Sequence, residues 1–235
     1  MTPTTRQAAC PYRRRIAAAL LALGLGLAGQ PSLAQEDAGT QGTGNEAGDE
    51  VVEIDGFRSI AFGMSEAQVL GAIEADYGIA AEAVRRILNP LDQTVTLAIR
   101  VEDLLPAGGT ADLAFGFSRG DRLLQQIVIT WGALADPGTP LQDLLRTDAI
   151  LRNYFVQRRF AENTVLGDLP LSDGSYLSFT GSDEQGRRAS LVIGALSERF
   201  VPFDPNAVAG LPVIVRLSYL ESPGDQDVFR LQPPF

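Results

Sequence analysis

The side chains that could do chemistry in this chain are acids, hydroxyls, and aromatics flanked by arginine, because the usual nucleophiles and bases are missing. Histidine and lysine do not occur, and the single cysteine is Cys10. Away from Cys10 there can be no imidazole-assisted serine triad, no thiol nucleophile and no Cys or His metal site. What stays open is carboxylate work, a serine with an unusual partner, or a calcium or magnesium site built from oxygen ligands.

The acids are tested first. Gly181 to Arg188, GSDEQGRR, offers Asp183, Glu184 and Gln185 as oxygen ligands, but it lacks the D-x-D-x-D-G spacing of a calcium loop and reads as a solvated hairpin turn. Asp55, Asp76 and Asp92 fall singly near element ends, where capping or solvation is their expected role. No spacing pairs two carboxylates as glycoside hydrolysis requires. Gly108-Gly109 has no Gly-Lys-Ser/Thr behind it, so it is a turn and not a phosphate cradle. Arg119-Gly120-Asp121 spells an adhesion tripeptide, yet hairpin geometry accounts for it, with Gly120 expected at positive φ. Neither a metal nor a cofactor is expected.

The binding candidates are aromatic and cationic: Trp131, Tyr154, Phe155, Phe160, Tyr176 and Phe179, with Arg158 and Arg159 beside them. Aromatics and arginine dominate interface hot spots. The same aromatics at strand and helix spacing equally suit a core, and arginines at a helix end suit its dipole.

These residues must be positioned by elements that begin well inside the chain. Arg13, Arg14 and Arg15 precede the apolar run Ile16 to Ala28, and Ser32-Leu33-Ala34 follows. That pattern predicts a secretory signal peptide over 1–34, cleaved after Ala34. The run is too short for a stable transmembrane anchor, which needs roughly 18–20 residues, and Cys10 lies upstream of it, where a lipoprotein cysteine would not be. Cleavage would remove Arg6 and Arg13 to Arg15, four positive charges, taking the net charge from −10 to −14. Such a protein repels nucleic acid at long range. Residues 35–52, opening QEDAGTQGTGNEAGDE, are too polar and Gly-rich to repay ordering and predict a flexible leader.

A single α+β domain is expected over 53–235, with helices packed on antiparallel sheet in two loosely repeated helix-plus-hairpin halves, 53–132 and 140–235. An extended stretch, Phe57 to Phe62, leads through Gly63 and Met64 to Ser65, an N-cap with Gln68 completing a capping box. Val69, Ala72 and Ile73 give the helix its apolar stripe, Gly78 ends it, and a second short helix is predicted over 80–88. Strands follow at 95–101, 112–118 and 123–131. Pro140 opens an amphipathic helix carrying Leu144, Leu151, Tyr154 and Phe155, and strands are predicted at 175–180, 189–196, 213–220 and 228–231.

The stretch Phe57 to Val69, FRSIAFGMSEAQV, resembles the opening of a broad set of exported bacterial proteins. It is also similar to that of small α+β modules such as the BamE/SmpA outer-membrane assembly lipoproteins and the beta-lactamase-inhibitor-like fold. The resemblance rests on Phe57, Gly63, Met64, Ser65 and Val69, and it implies helices on an antiparallel sheet acting through protein contacts. The expectation is a non-enzymatic, periplasmic protein that binds an envelope protein partner. The alternative is a small-ligand binder or a carboxylate-dependent hydrolase.

Overall fold

The computed structural model of the protein describes residues 51–223 apart from 92, 106–108 and 198–199. The expected signal peptide, all but the end of the leader, and the expected strand at 228–231 lie outside the described residues. Val51 bridges to Arg159, and the Val52 N–H donates to the Arg159 carbonyl at 2.7 Å. The last two residues assigned to the leader therefore belong to the folded unit.

From Val52 the chain runs as a strap into two short strands, β1 (Gly56–Phe57) and β2 (Ile60–Ala61), which pair antiparallel. The expected single extended stretch is thus a tight hairpin, because Arg58 takes a φ of 57° and reverses the chain. Asp76 fixes that turn by accepting from the Ser59 N–H at 3.1 Å and its hydroxyl at 2.8 Å.

Helix α1 (Glu66–Tyr77) starts at Ser65, whose N–H donates to Gln68 Oε1 at 2.9 Å in a capping box. Val69 and Ile73 are its buried residues, and Gly78 closes it at φ 68°, the left-handed geometry for which a residue without Cβ is suited. The second helix expected over 80–88 is a single 3-10 turn, Ala81–Ala83, followed by strand β3 (Arg85–Leu88). Pairing of Arg85 to Leu88 with Ala98 to Val95 outweighs their helical propensity.

Strands β4 (Val95–Val101), β5 (Ala111–Phe117) and β6 (Leu124–Gly132) form the meander that their alternating patterns predict. The turn before β6 places positive φ on Arg122, not on the expected Gly120, and Ser118 and Asp121 bond each other across it. Helix α2 (Leu141–Val156) then precedes β7 (Leu169–Pro170), β8 (Tyr176–Ser182), β9 (Arg188–Ala195) and β10 (Val213–Leu220). The two-residue strand β7 has no sequence signal.

All eight strands from β3 onward make one antiparallel sheet in the order β3-β4-β5-β6-β10-β9-β8-β7. Each half contributes a helix and a four-stranded meander, and the halves join where β6 pairs with β10. At that seam Ile127, Ile129 and Trp131 face the same side as Tyr219, Leu217 and Val215. With Leu113, Phe115, Leu191 and Ile193 they form the buried face on which the helices lie. The opposite face carries small or polar groups such as Ala114, Gly116, Ser190 and Ser218, as expected of a sheet with one main core.

Candidate ligand-binding site

Buried side chains, Ile129, Trp131 and Leu217 among them, fill the seam between the halves. A cavity of about 430 Å³ stands on it. Strand alternation fixes its floor, since Ile129 and Trp131 of β6 and Leu217 and Tyr219 of β10 all point to the helix side. Helix α2 gives one wall through Ile150, Leu151, Tyr154 and Phe155, continued by Arg158 and Phe160. The strap from Val52 to Arg58 gives the facing wall, and Leu104 and Leu105 close one end. This volume lies within the roughly 300–1,000 Å³ typical of small-molecule sites, and mostly apolar walls are their usual lining.

Aromatic packing holds α2 in place. Phe155 stacks on Phe179 with centroids 5.0 Å apart and 9° between planes, and it meets Phe160 and Tyr219 at 6.3 and 6.4 Å. Phe57 of the strap stacks on Tyr219 at 6.1 Å, joining the facing wall to the floor.

The strap is pinned by a single buried carboxylate. Asp183, only 2 % exposed, accepts from the N–H groups of Ile54 at 3.0 Å, Gln185 at 3.0 Å and Arg187 at 2.9 Å, and from Arg187 Nε at 2.6 Å. Arg187 also donates to Glu53 at 3.0 Å. The expectation of a solvated turn at 181–188 is corrected here: the turn is a buried anchor, because its carboxylate finds four donors.

Electrostatically, the cavity is bordered by two guanidinium groups. Arg158 lies with its guanidinium carbon 3.3 Å from the Tyr154 ring centroid and donates to the Tyr154 carbonyl at 2.5 Å. Arg58 sits 5.9 Å from the Phe57 ring and 4.8 Å from that of Tyr77. Burial pushes the Tyr77 phenol up to about 12, and burial drives the Tyr219 phenol up as well. Both phenols are neutral at physiological pH, so neither contributes a negative charge. The indole N–H of Trp131 is buried without a partner among the described residues.

Of the residues singled out from sequence, Trp131, Tyr154, Phe155 and Arg158 meet around this cavity, with Phe57 of the signature opposite them. Phe179 backs Phe155 from the core. Tyr176 stands apart, packed near Phe203 at 6.4 Å and donating to Asp168 at 3.2 Å. Arg159 serves through its main chain, holding Val52. Gly63, Met64, Ser65 and Val69 build the entry to α1 and do not line the cavity. Arg58 and Tyr219 were not singled out, although Arg58 lies within the FRSI signature and Tyr219 closes an alternating strand pattern.

A second polar group lies where α2 crosses β8. Asp148 faces Ser178, which sits in the bulge between Leu177 and Phe179. Burial raises the Asp148 carboxyl above its ordinary range, with Ser178 and Arg152 acting in the opposite sense. Arg152 pairs with Asp168. Among the described residues no cluster of three acidic, Cys or His side chains could hold a metal, and no helix is long and apolar enough to cross a membrane. Comparison with protein-family models, curated proteins and solved structures finds no match to the chain.

Proposed function

We propose that the protein is a non-enzymatic, exported binding protein that holds a small, mainly apolar molecule in the cavity over the β6–β10 seam. The observation that carries this reading is the cavity itself, which is large enough for a ligand and walled by aromatic and aliphatic side chains. Its polar equipment suits holding more than transforming. Glu53 is engaged by Arg187, the Tyr219 phenol is kept neutral by burial, and the lining includes no serine or threonine. Export is supported by the Arg13 to Ala34 pattern.

Trp131 is the only tryptophan and forms part of the floor, so it is a built-in reporter. Titration with the neutral apolar dye N-phenyl-1-naphthylamine should give saturable, one-site energy transfer from Trp131. A linear, non-saturating response would sink the proposal.

A further inference from the structure

We propose that the ligand is a single-chain amphiphile with an anionic carboxylate head, its tail over the seam and its head between Arg58 and Arg158. This deepens the binding reading above and rests on it.

Three observations carry the choice. First, the cavity combines an apolar interior with two cations that belong to different walls, Arg58 from the β1–β2 turn and Arg158 from the end of α2. Among the described residues neither guanidinium is ion-paired, whereas Arg86, Arg100, Arg146, Arg152 and Arg187 each meet a carboxylate. In a chain with 29 acidic against 19 basic residues, two guanidinium groups beside one apolar cavity give it a positive border.

Second, the acids of the lining cancel them only in part. Glu53 is taken up by Arg187, which leaves Asp55 as the opposing charge. Third, two aromatic residues of the lining, Phe57 and Tyr154, are already engaged by the protein's own cations. Arg158 lies on Tyr154, and Arg58 lies near Phe57 and Tyr77. A quaternary ammonium would have to displace them. A planar guanidinium presents paired N–H donors that match a carboxylate in two-point contact, and Arg58 and Arg158 can each offer one such edge. A volume of about 430 Å³ is near the lower end for ligand sites, which suits one chain and not two.

The test is competition against N-phenyl-1-naphthylamine at pH 8, below micellar concentrations, using laurate, dodecanol and dodecyltrimethylammonium, which share one chain length and differ in charge. Laurate should compete about ten- to a hundredfold more strongly than dodecanol, the range expected when charged hydrogen bonds are added. The double variant Arg58→Gln/Arg158→Gln should bring laurate down to dodecanol, with its fold checked independently by circular dichroism and its thermal midpoint; a retained preference for laurate in the folded variant overturns the assignment. Arg158→Lys should keep part of the preference. Equal competition by laurate and dodecanol, or stronger competition by the cation, overturns the anionic assignment and leaves the cavity reading standing. Failure of the dye to bind the unaltered protein overturns both.

Discussion

Arg158 covers the face of Tyr154 at 3.3 Å from the ring centroid and is tied to the same residue's carbonyl at 2.5 Å. One residue of α2 thus holds the guanidinium of the arginine that follows the helix by two contacts, and it does so at the border of an apolar cavity. A long, flexible cation ordered before any ligand arrives has less rotamer entropy to lose on binding. Tyr154→Ala should therefore weaken laurate binding more than dodecanol binding, by about threefold to tenfold. Equal weakening of both would mean that Tyr154 acts only as apolar wall.

Enlarging one floor side chain should weaken binding without unfolding the protein. Leu217 is 1 % exposed and lines the cavity from β10. Because Leu217 is packed, Leu217→Phe should cost about 1–3 kcal/mol, as overpacking does, and push the floor toward the cavity. Dye binding, read through Trp131, should weaken. Unchanged dye binding would place the ligand elsewhere.

The strap depends on Asp183. Asp183→Ala removes the acceptor for the Ile54 N–H and leaves Arg187 without its shortest partner. Breaking a buried, hydrogen-bonded pair costs about 3–5 kcal/mol. The urea midpoint should drop accordingly, and amide exchange should accelerate at Ile54 ahead of the β6–β10 seam. Unchanged protection at Ile54 would show that the strap is held by other contacts.

How much of this could be read from the chain alone follows from which forces are local. The strands β4, β5, β6 and β10 were legible because alternation in β4 and apolar runs bounded by turns in the others are written directly into the sequence. The capping box at Ser65 and the stop at Gly78 are equally local. Strand β3 was not legible, because Arg85 to Leu88 is exposed along its length and owes its conformation to pairing with β4. The cavity was half legible. Trp131, Tyr154, Phe155 and Arg158 were singled out as binding candidates, but only the antiparallel joining of β6 to β10 brings Tyr219 and the strap's Arg58 to them. Asp183 was misread as solvated because its donor Ile54 lies 129 residues away.

Asp148 should impose a specific pH dependence. Burial raises its carboxyl above the unfolded value of about 3.9. The folded state therefore keeps a proton that the unfolded chain has released, and stability is lost as pH climbs from near 4 through the folded value. Asp148→Asn should raise Tm at pH 7 and leave it nearly unchanged at pH 3. A lower Tm at pH 7 would mean that the charged carboxylate contributes to folding.

Two glycines should behave oppositely. Gly132 has φ 91°, and a Cβ there would lie 2.3 Å from the Val213 carbonyl oxygen. Gly132→Ala should cost more than about 2 kcal/mol. A Cβ on Gly120 meets nothing within 4 Å, and its φ is not positive. Gly120→Ala should stabilise by about 0.4–1 kcal/mol. Denaturant titration of both variants checks the contrast.

The most direct test of the central claim is calorimetric titration of the purified protein with laurate at several temperatures. The account predicts one site per chain, a negative heat capacity change from burial of the apolar tail, and weaker binding in Leu217→Phe. Absence of saturable heat, or binding unaffected by Leu217→Phe, would contradict it.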